Sequence, residues 1–311
     1  MNTQANAAPE SPINAQAITS TSVTATRPMY WSVRRELWEC RAIYIAPLAA
    51  AGVVLFGFLV GTIRLSGKMR TALMLAPAKQ HAALVWPYDS AAFVILVTAI
   101  IVGVLYCLDA LYGERRDRSI LFWKSLPVSD LTTVLSKAII PLVVLPLVIF
   151  PIIVTTWVVM LLLHIEVLQG GGLSAAPLLV QFNFFQSSLA CLYCLIVVSL
   201  WYAPVYAWLL LISAWARRTP ILWAWLPPFA ISILEKIAFG TSHFSRMVGH
   251  RLTGWFAQAF VPQAQKGVSM DPLQALDPGK FLSTPGLWIG LAFAAVFLAA
   301  AVRLRRYREP I

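Results

Sequence analysis

Few residues in this chain have the type and spacing for chemistry. Cys191 and Cys194 form a C-x-x-C pair inside an apolar run with no second pair, where cysteine packs as a small hydrophobe. His243 and His250, seven apart, share a face if their segment is helical, but no carboxylate or cysteine stands at ligand spacing, so no metal site is predicted. A P-loop needs GxxxxGK followed by Ser or Thr, whose amides and lysine neutralise phosphate. The nearest fragment, Gly279-Lys280, is followed by Phe281 and lacks the upstream glycine, so the chain carries no P-loop motor of its own.

What remains are acids and bases whose meaning depends on their surroundings. Hydrophobic residues make up 59% of the chain and charged ones 12%, against roughly 25% charged in a soluble domain. Most of the surface must therefore face lipid. Six apolar runs approach or exceed the roughly 20 residues that cross a bilayer: about 45–65, 91–112, 135–164, 184–216, 220–239 and 285–302. The third contains Pro141, Pro146 and Pro151, the fourth Pro204 and the fifth the pair Pro227-Pro228, which predict kinks whose freed carbonyls neighbouring groups must satisfy. The fourth run is long enough to tilt or to project beyond the bilayer.

The net charge of +11 is dispersed at the ends of the runs rather than gathered in a patch, which excludes a nucleic-acid partner. Fifteen of the 24 lysines and arginines fall on the side that holds both chain ends, so the termini are expected in the cytoplasm and the chain in the inner (plasma) membrane. Residues 1–26, rich in Ala, Ser, Thr, Asn and Gln, read as a disordered tail, and 27–311 as a single transmembrane domain. A loop over 240–284 lies on the external side.

Before the first run, residues 29–42 read as an interfacial helix. Tyr30, Trp31, Val33, Leu37, Trp38 and Cys40 share one half of its wheel, with Arg35, Glu36 and Glu39 opposite. Arg34 and Arg41 fall in the apolar half and are expected to snorkel to lipid phosphates. Acids near span ends, Asp109, Glu166 and Glu235, are functional suspects by default; Asp109 is expected to pair with Arg115 or Arg116. Gln181, Asn183, Gln186 and Ser187 enter the fourth run with unusual polarity and either line a translocation path or hold helices together by hydrogen bonds.

The segment after the second run, YGERRDRSILFWKSLPVSD, has three parts. Gly113 can end the preceding helix. Glu114, Arg115, Arg116 and Arg118 form a charged stretch expected in water, and Phe122, Trp123, Lys124 and Leu126 set aromatic anchors among charges, a composition suited to docking. Pro127 stops the segment and Ser129 or Asp130 caps the next helix.

This run, ERRDRSILFWKSLPVSD, resembles the loop after the second span of type-2 ABC transporter permeases, and WSVRRELWE resembles their amphipathic elbow helix. The resemblance covers nearly the whole chain beyond the tail. It implies an all-α polytopic membrane protein with six transmembrane helices, an N-terminal elbow helix over 29–42 bearing Trp31, Arg34, Arg35 and Trp38, and a cytoplasmic coupling helix within 113–130. It implies no catalysis and no cofactor in this chain, with ATP and magnesium on a separate ABC ATPase subunit present in two copies. A second permease chain, identical or related, and membrane lipids complete the partners of such an exporter. The long loop over 240–284 departs from the better-studied members. Two other classes compete: a membrane-embedded enzyme acting on lipid or peptide, for which no nucleophile–base or metal motif is present, and an ion-gradient-driven secondary transporter, for which no internal repeat is visible.

Overall fold

The computed structural model describes residues 28–62, 77–117, 119, 129–170, 172, 174, 176, 178, 182–260, 273 and 276–307. The described residues are all-helical, and among them six helices are long and apolar enough to cross a membrane, which makes this a multi-pass membrane protein. In chain order the elements are α1 (Pro28–Glu39), α2 (Ala42–Thr62), α3 (Pro77–Ala110), α4 (Tyr112–Arg116), α5 (Asp130–Ile139), a π-helical turn (Ile140–Val144), α6 (Leu145–Gly170), α7 (Phe184–Trp215), α8 (Pro220–Phe239), α9 (His243–Thr253), α10 (Trp255–Ala259), α11 (Pro278–Ser283) and α12 (Pro285–Tyr307). The crossing helices are α2, α3, the α5–α6 unit, α7, α8 and α12. The second helix begins well before the predicted start at residue 91, and the third extends from Asp130 to Gly170.

α7 is the spine. Leu195, Val198, Tyr202, Tyr206, Leu209 and Leu210 are buried along it, within a core that also takes in Ile95, Ile149 and Ile153 from α3 and α6. At the other extreme, α8 buries only Ala224 and turns Phe229, Leu234 and Ile237 outward. In water such a face would be a liability; in hydrocarbon it costs nothing, because lipid tails are as apolar as leucine.

The prolines are accommodated by donors from neighbouring helices. Pro146 lacks the N–H that would serve the Leu142 carbonyl four residues back, and Ser199 Oγ on α7 donates to that oxygen instead. Pro228 likewise cannot serve Ala224, whose carbonyl accepts from Trp208 Nε1 at 3.3 Å. Pro141 lies inside the π turn, where the ladder shifts register and Leu145 N–H reaches back to the Ile140 carbonyl.

Capping sets the ends. Ser129 rather than Asp130 caps α5, accepting from Thr132 N–H. Gly240 closes α8 with φ of 64°, the left-handed conformation glycine adopts freely. We call the end that holds α1, α4 and the last turn of α12 basal, and the end that holds α9–α11 distal. The distal helices fold back onto the upper part of α7: Trp201 Nε1 donates to the Arg251 carbonyl at 2.8 Å, Tyr202 Oη to the Leu252 carbonyl at 2.6 Å and Tyr193 Oη to the Ala259 carbonyl at 3.3 Å. Gly254 makes the turn between α9 and α10, where a Cβ would stand 2.5 Å from the His250 carbonyl oxygen.

Candidate functional site

At the basal end three carboxylates and three cations meet from four elements, with the Tyr106 hydroxyl of α3 as a fifth contributor. Glu36 on α1 accepts from Lys137 Nζ at 2.8 Å and from Arg35 Nη2 at 2.7 Å through Oε1, and from the Tyr106 hydroxyl at 2.8 Å through Oε2. Glu114 on α4 faces Lys137 Nζ at 3.1 Å and Arg35 Nη2 at 3.4 Å, and its other oxygen pairs with Arg305 Nη1. Arg305, near the end of α12, also reaches Asp130 at the start of α5 at 3.1 Å. The side chains of Lys137, Glu36, Arg305 and Glu114 are 2%, 4%, 4% and 9% exposed, so this is an interior site.

Charges removed from water survive only when paired and hydrogen-bonded. Here each carboxylate has at least one cation, and Lys137 bridges two of them. Burial alone would raise the pKa of Glu36, but the Lys137 ammonium and the Arg35 guanidinium outweigh it and hold the carboxyl below its ordinary range. Glu39, at the rim, is pushed the other way by burial.

A second clamp fixes the break between α3 and α4. The interruption falls at Leu111, two residues before Gly113, and Ser213 Oγ on α7 accepts from the freed N–H groups of Leu111 and Tyr112 at 3.0 and 2.9 Å. Arg115 donates in return to the carbonyls of Ser213, at 3.0 Å, and of Ala216. A cation on the last carbonyls of a helix satisfies acceptors that have no partner within it and complements its dipole.

These positions correct the expectation that the whole stretch from Glu114 lies in water: Glu114 and Arg115 are buried, while Arg116 and Asp117, paired at 3.0 Å, are exposed. Arg118, Phe122, Trp123, Lys124 and Leu126 lie outside the described residues, as does Gln181. Among the residues expected of α1, Arg35 enters the cluster, whereas Trp31 and Trp38 face outward with the Arg34 guanidinium 5.4 and 5.2 Å from their ring centroids. α1 therefore turns Arg35 and Glu36 inward together with Val33, Leu37 and, just past its end, Cys40, and sets Trp31, Trp38 and Glu39 outward, so neither half of its wheel is buried as a unit.

Elsewhere the suspects have local duties. Asn183 caps α7 by accepting from Gln186 N–H at 3.2 Å, with Ser187 one turn on. Glu235 caps α9, accepting from the N–H groups of His243 and Phe244 at 2.6 and 2.8 Å. Asp109 and Glu166 are exposed. His164 is buried, with Nδ1 2.8 Å from the Tyr88 hydroxyl. Cys191 and Cys194 are free thiols packed against the core. Among the described residues no group of three or more His, Cys, Asp or Glu gathers to hold a metal.

The sequence reading missed Glu36, Lys137, Asp130, Arg305, Tyr106 and Ser213 as members of one site. One signal was available: the chain has 13 acids against 24 bases, and three of those scarce acids stand beside span ends. No family model matches the chain. No curated protein matches it, and no solved structure does.

Proposed function

We propose that this chain is the membrane-spanning permease subunit of an ATP-driven exporter of the type-2 ABC kind, taking its power stroke from a separate ATPase subunit. It hydrolyses nothing itself; ATP and magnesium belong to the two copies of that ATPase, and a second permease chain completes the assembly in the inner membrane with the termini cytoplasmic. The observation that carries this reading is the basal ionic cluster. Glu114 opens the segment 113–130 that would dock on the motor, and it is tied to α1, α5 and α12 through Arg35, Lys137 and Arg305. Arg115 ties the same segment to α7. A push on one short segment is thus passed to four other elements at once, which is what a coupling element requires.

Co-purification of the chain with an ATP-hydrolysing partner is the test. Replacing Phe122 or Trp123 by Asp is expected to abolish that association while the chain still inserts. Glu114→Gln is expected to leave association intact and to uncouple hydrolysis from transport. Full assembly with both aromatic variants would sink the proposal.

A further inference from the structure

The distal hairpin sets a guanidinium beside the first turn of α12, with no acid among the described residues to meet it. Trp201 lies fourteen residues before Trp215, the basal end of α7, about 21 Å along a helix. Gly286 is the second residue of α12 and stands about 28 Å above Arg305, which sets the site near the distal edge of a hydrocarbon core of about 30 Å. Arg251, in the last turn of α9, lies over that indole with Cζ 4.6 Å from the ring centroid. Its own carbonyl accepts from Trp201 Nε1, which pins the backbone at the same depth. Nη1 donates to the Gly286 carbonyl at 3.0 Å, while Nε and Nη2 have no acceptor among the described residues. A cation inside a membrane is costly and is normally matched by an acid or by several carbonyls; this one has one carbonyl and an aromatic face.

The surroundings are built to admit the guanidinium rather than to neutralise it. A Cβ at Gly290 on α12 would stand 2.6 Å from Arg251 Cζ, so only glycine leaves the groove in which the group lies. His250 stands beside it, its ring 5.7 Å from that of Trp201. α9 carries a second cation, Arg246, and no acid at all. Phe256 on α10 and Trp288 on α12, near the site in sequence, are exposed apolar side chains, Trp288 on the side of α12 opposite Gly290.

A cation without an acid at the distal end of a span, where lipid headgroups meet hydrocarbon, fits a ligand that pairs an anion with a hydrocarbon body. We propose that Arg251 is the anion-binding centre of a site for phosphate-bearing amphiphiles in the distal leaflet, with Trp201 holding the guanidinium and Gly290 making room for it. The site does not depend on the permease reading, since binding requires no motor.

The full chain is reconstituted in nanodiscs of phosphatidylcholine alone or with a minority of phosphatidylglycerol, treated with butanedione, and Arg251 modification is followed by peptide mass mapping. Phosphatidylglycerol is expected to slow modification of Arg251 about tenfold, the scale of one charge-assisted hydrogen bond, and to leave Arg116, already paired with Asp117, unchanged. Inorganic phosphate added to phosphatidylcholine discs separates the sources: protection by phosphate assigns a soluble anion, protection by phosphatidylglycerol alone assigns the lipid. Equal modification of Arg251 under all three conditions overturns the proposal, and this readout needs no variant. In parallel, Arg251→Gln is expected to lower the phosphatidylglycerol retained in native mass spectra about tenfold and Arg251→Lys to restore part of it; retention by Arg251→Gln equal to wild type also overturns it.

Discussion

Lys137→Met is the sharpest test of the basal cluster, because methionine keeps the length of the side chain and removes only the charge. The ammonium serves Glu36 at 2.8 Å and Glu114 at 3.1 Å, and its side chain is 2% exposed. Removing one partner of a buried pair typically costs about 3–5 kcal/mol. Arg35 still reaches both carboxylates and Arg305 still holds Glu114, which places the cost near the lower end, about 3 kcal/mol. At roughly 2 °C per kcal/mol for a chain of this size, the melting temperature in detergent should fall by about 6 °C at one fixed scan rate. Glu36→Gln alone should cost less, since Lys137 keeps Glu114. The double variant should melt at least ~2 °C above the sum of the two losses, because each single change strands a charge that the other removes. Additive losses, or a Lys137→Met protein that melts with wild type, would refute the pairing.

Ser199→Ala strands the Leu142 carbonyl and should cost about 1–3 kcal/mol; in a Pro146→Ala background, where an N–H is restored four residues on, the same change should cost clearly less in a melting assay. Gly290→Ala forces the Arg251 guanidinium off Trp201, but that group ends a flexible side chain, so the loss in a melting assay should stay under about 1 kcal/mol and should vanish when Arg251→Ala is combined with it. Because Glu36 is held below its ordinary value near 4.5, its contribution is complete above that value and is lost as pH falls through the depressed one. The melting temperature of wild type should therefore drop in acid below about pH 4.5, and that of Glu36→Gln should drop less steeply.

Length made the spans legible: an apolar run of twenty residues has few uses other than crossing lipid, and all six runs are helices that can do so. The prolines were legible as a demand for outside donors but not as to who supplies them, since Ser199 is 57 residues from Leu142. The cluster was illegible for the same reason. Glu36 and Lys137 are 101 residues apart, and Glu114 and Arg305 are 191 apart; no local periodicity marks such pairs. The wheel of α1 grouped Val33, Leu37 and Cys40 with Trp31 and Trp38, but the structure packs the first three against the core beside Arg35 and Glu36 and leaves the tryptophans and Glu39 outside. Aromatic groups can face lipid at little cost, whereas Arg35 and Glu36 need partners, so the buried side follows the partners and not the wheel. The aromatic half of the proposed docking segment lies outside the described residues, and for it the sequence remains the only witness.

The basal cluster and the distal arginine share one pair of helices. α7 carries Ser213 at one end and Trp201 further up; α12 carries Arg305 at one end and Gly290 further up. Between these levels the two helices meet through Ala203, Ala207 and Ala294, small residues that let backbones approach closely and leave little room to slide. A force that displaces Glu114 pulls Arg305 through their ion pair and Ser213 through the α4 backbone, which is to say the basal ends of both helices together. A closely packed pair transmits that displacement along its length rather than absorbing it, because packed interiors are stiff. The next features along the pair are Trp201 and Gly290, the two groups that hold Arg251 in place. The proposed coupling of a push at Glu114 to the proposed anion site at Arg251 therefore needs no moving part beyond one helix pair and the two charged sites it joins.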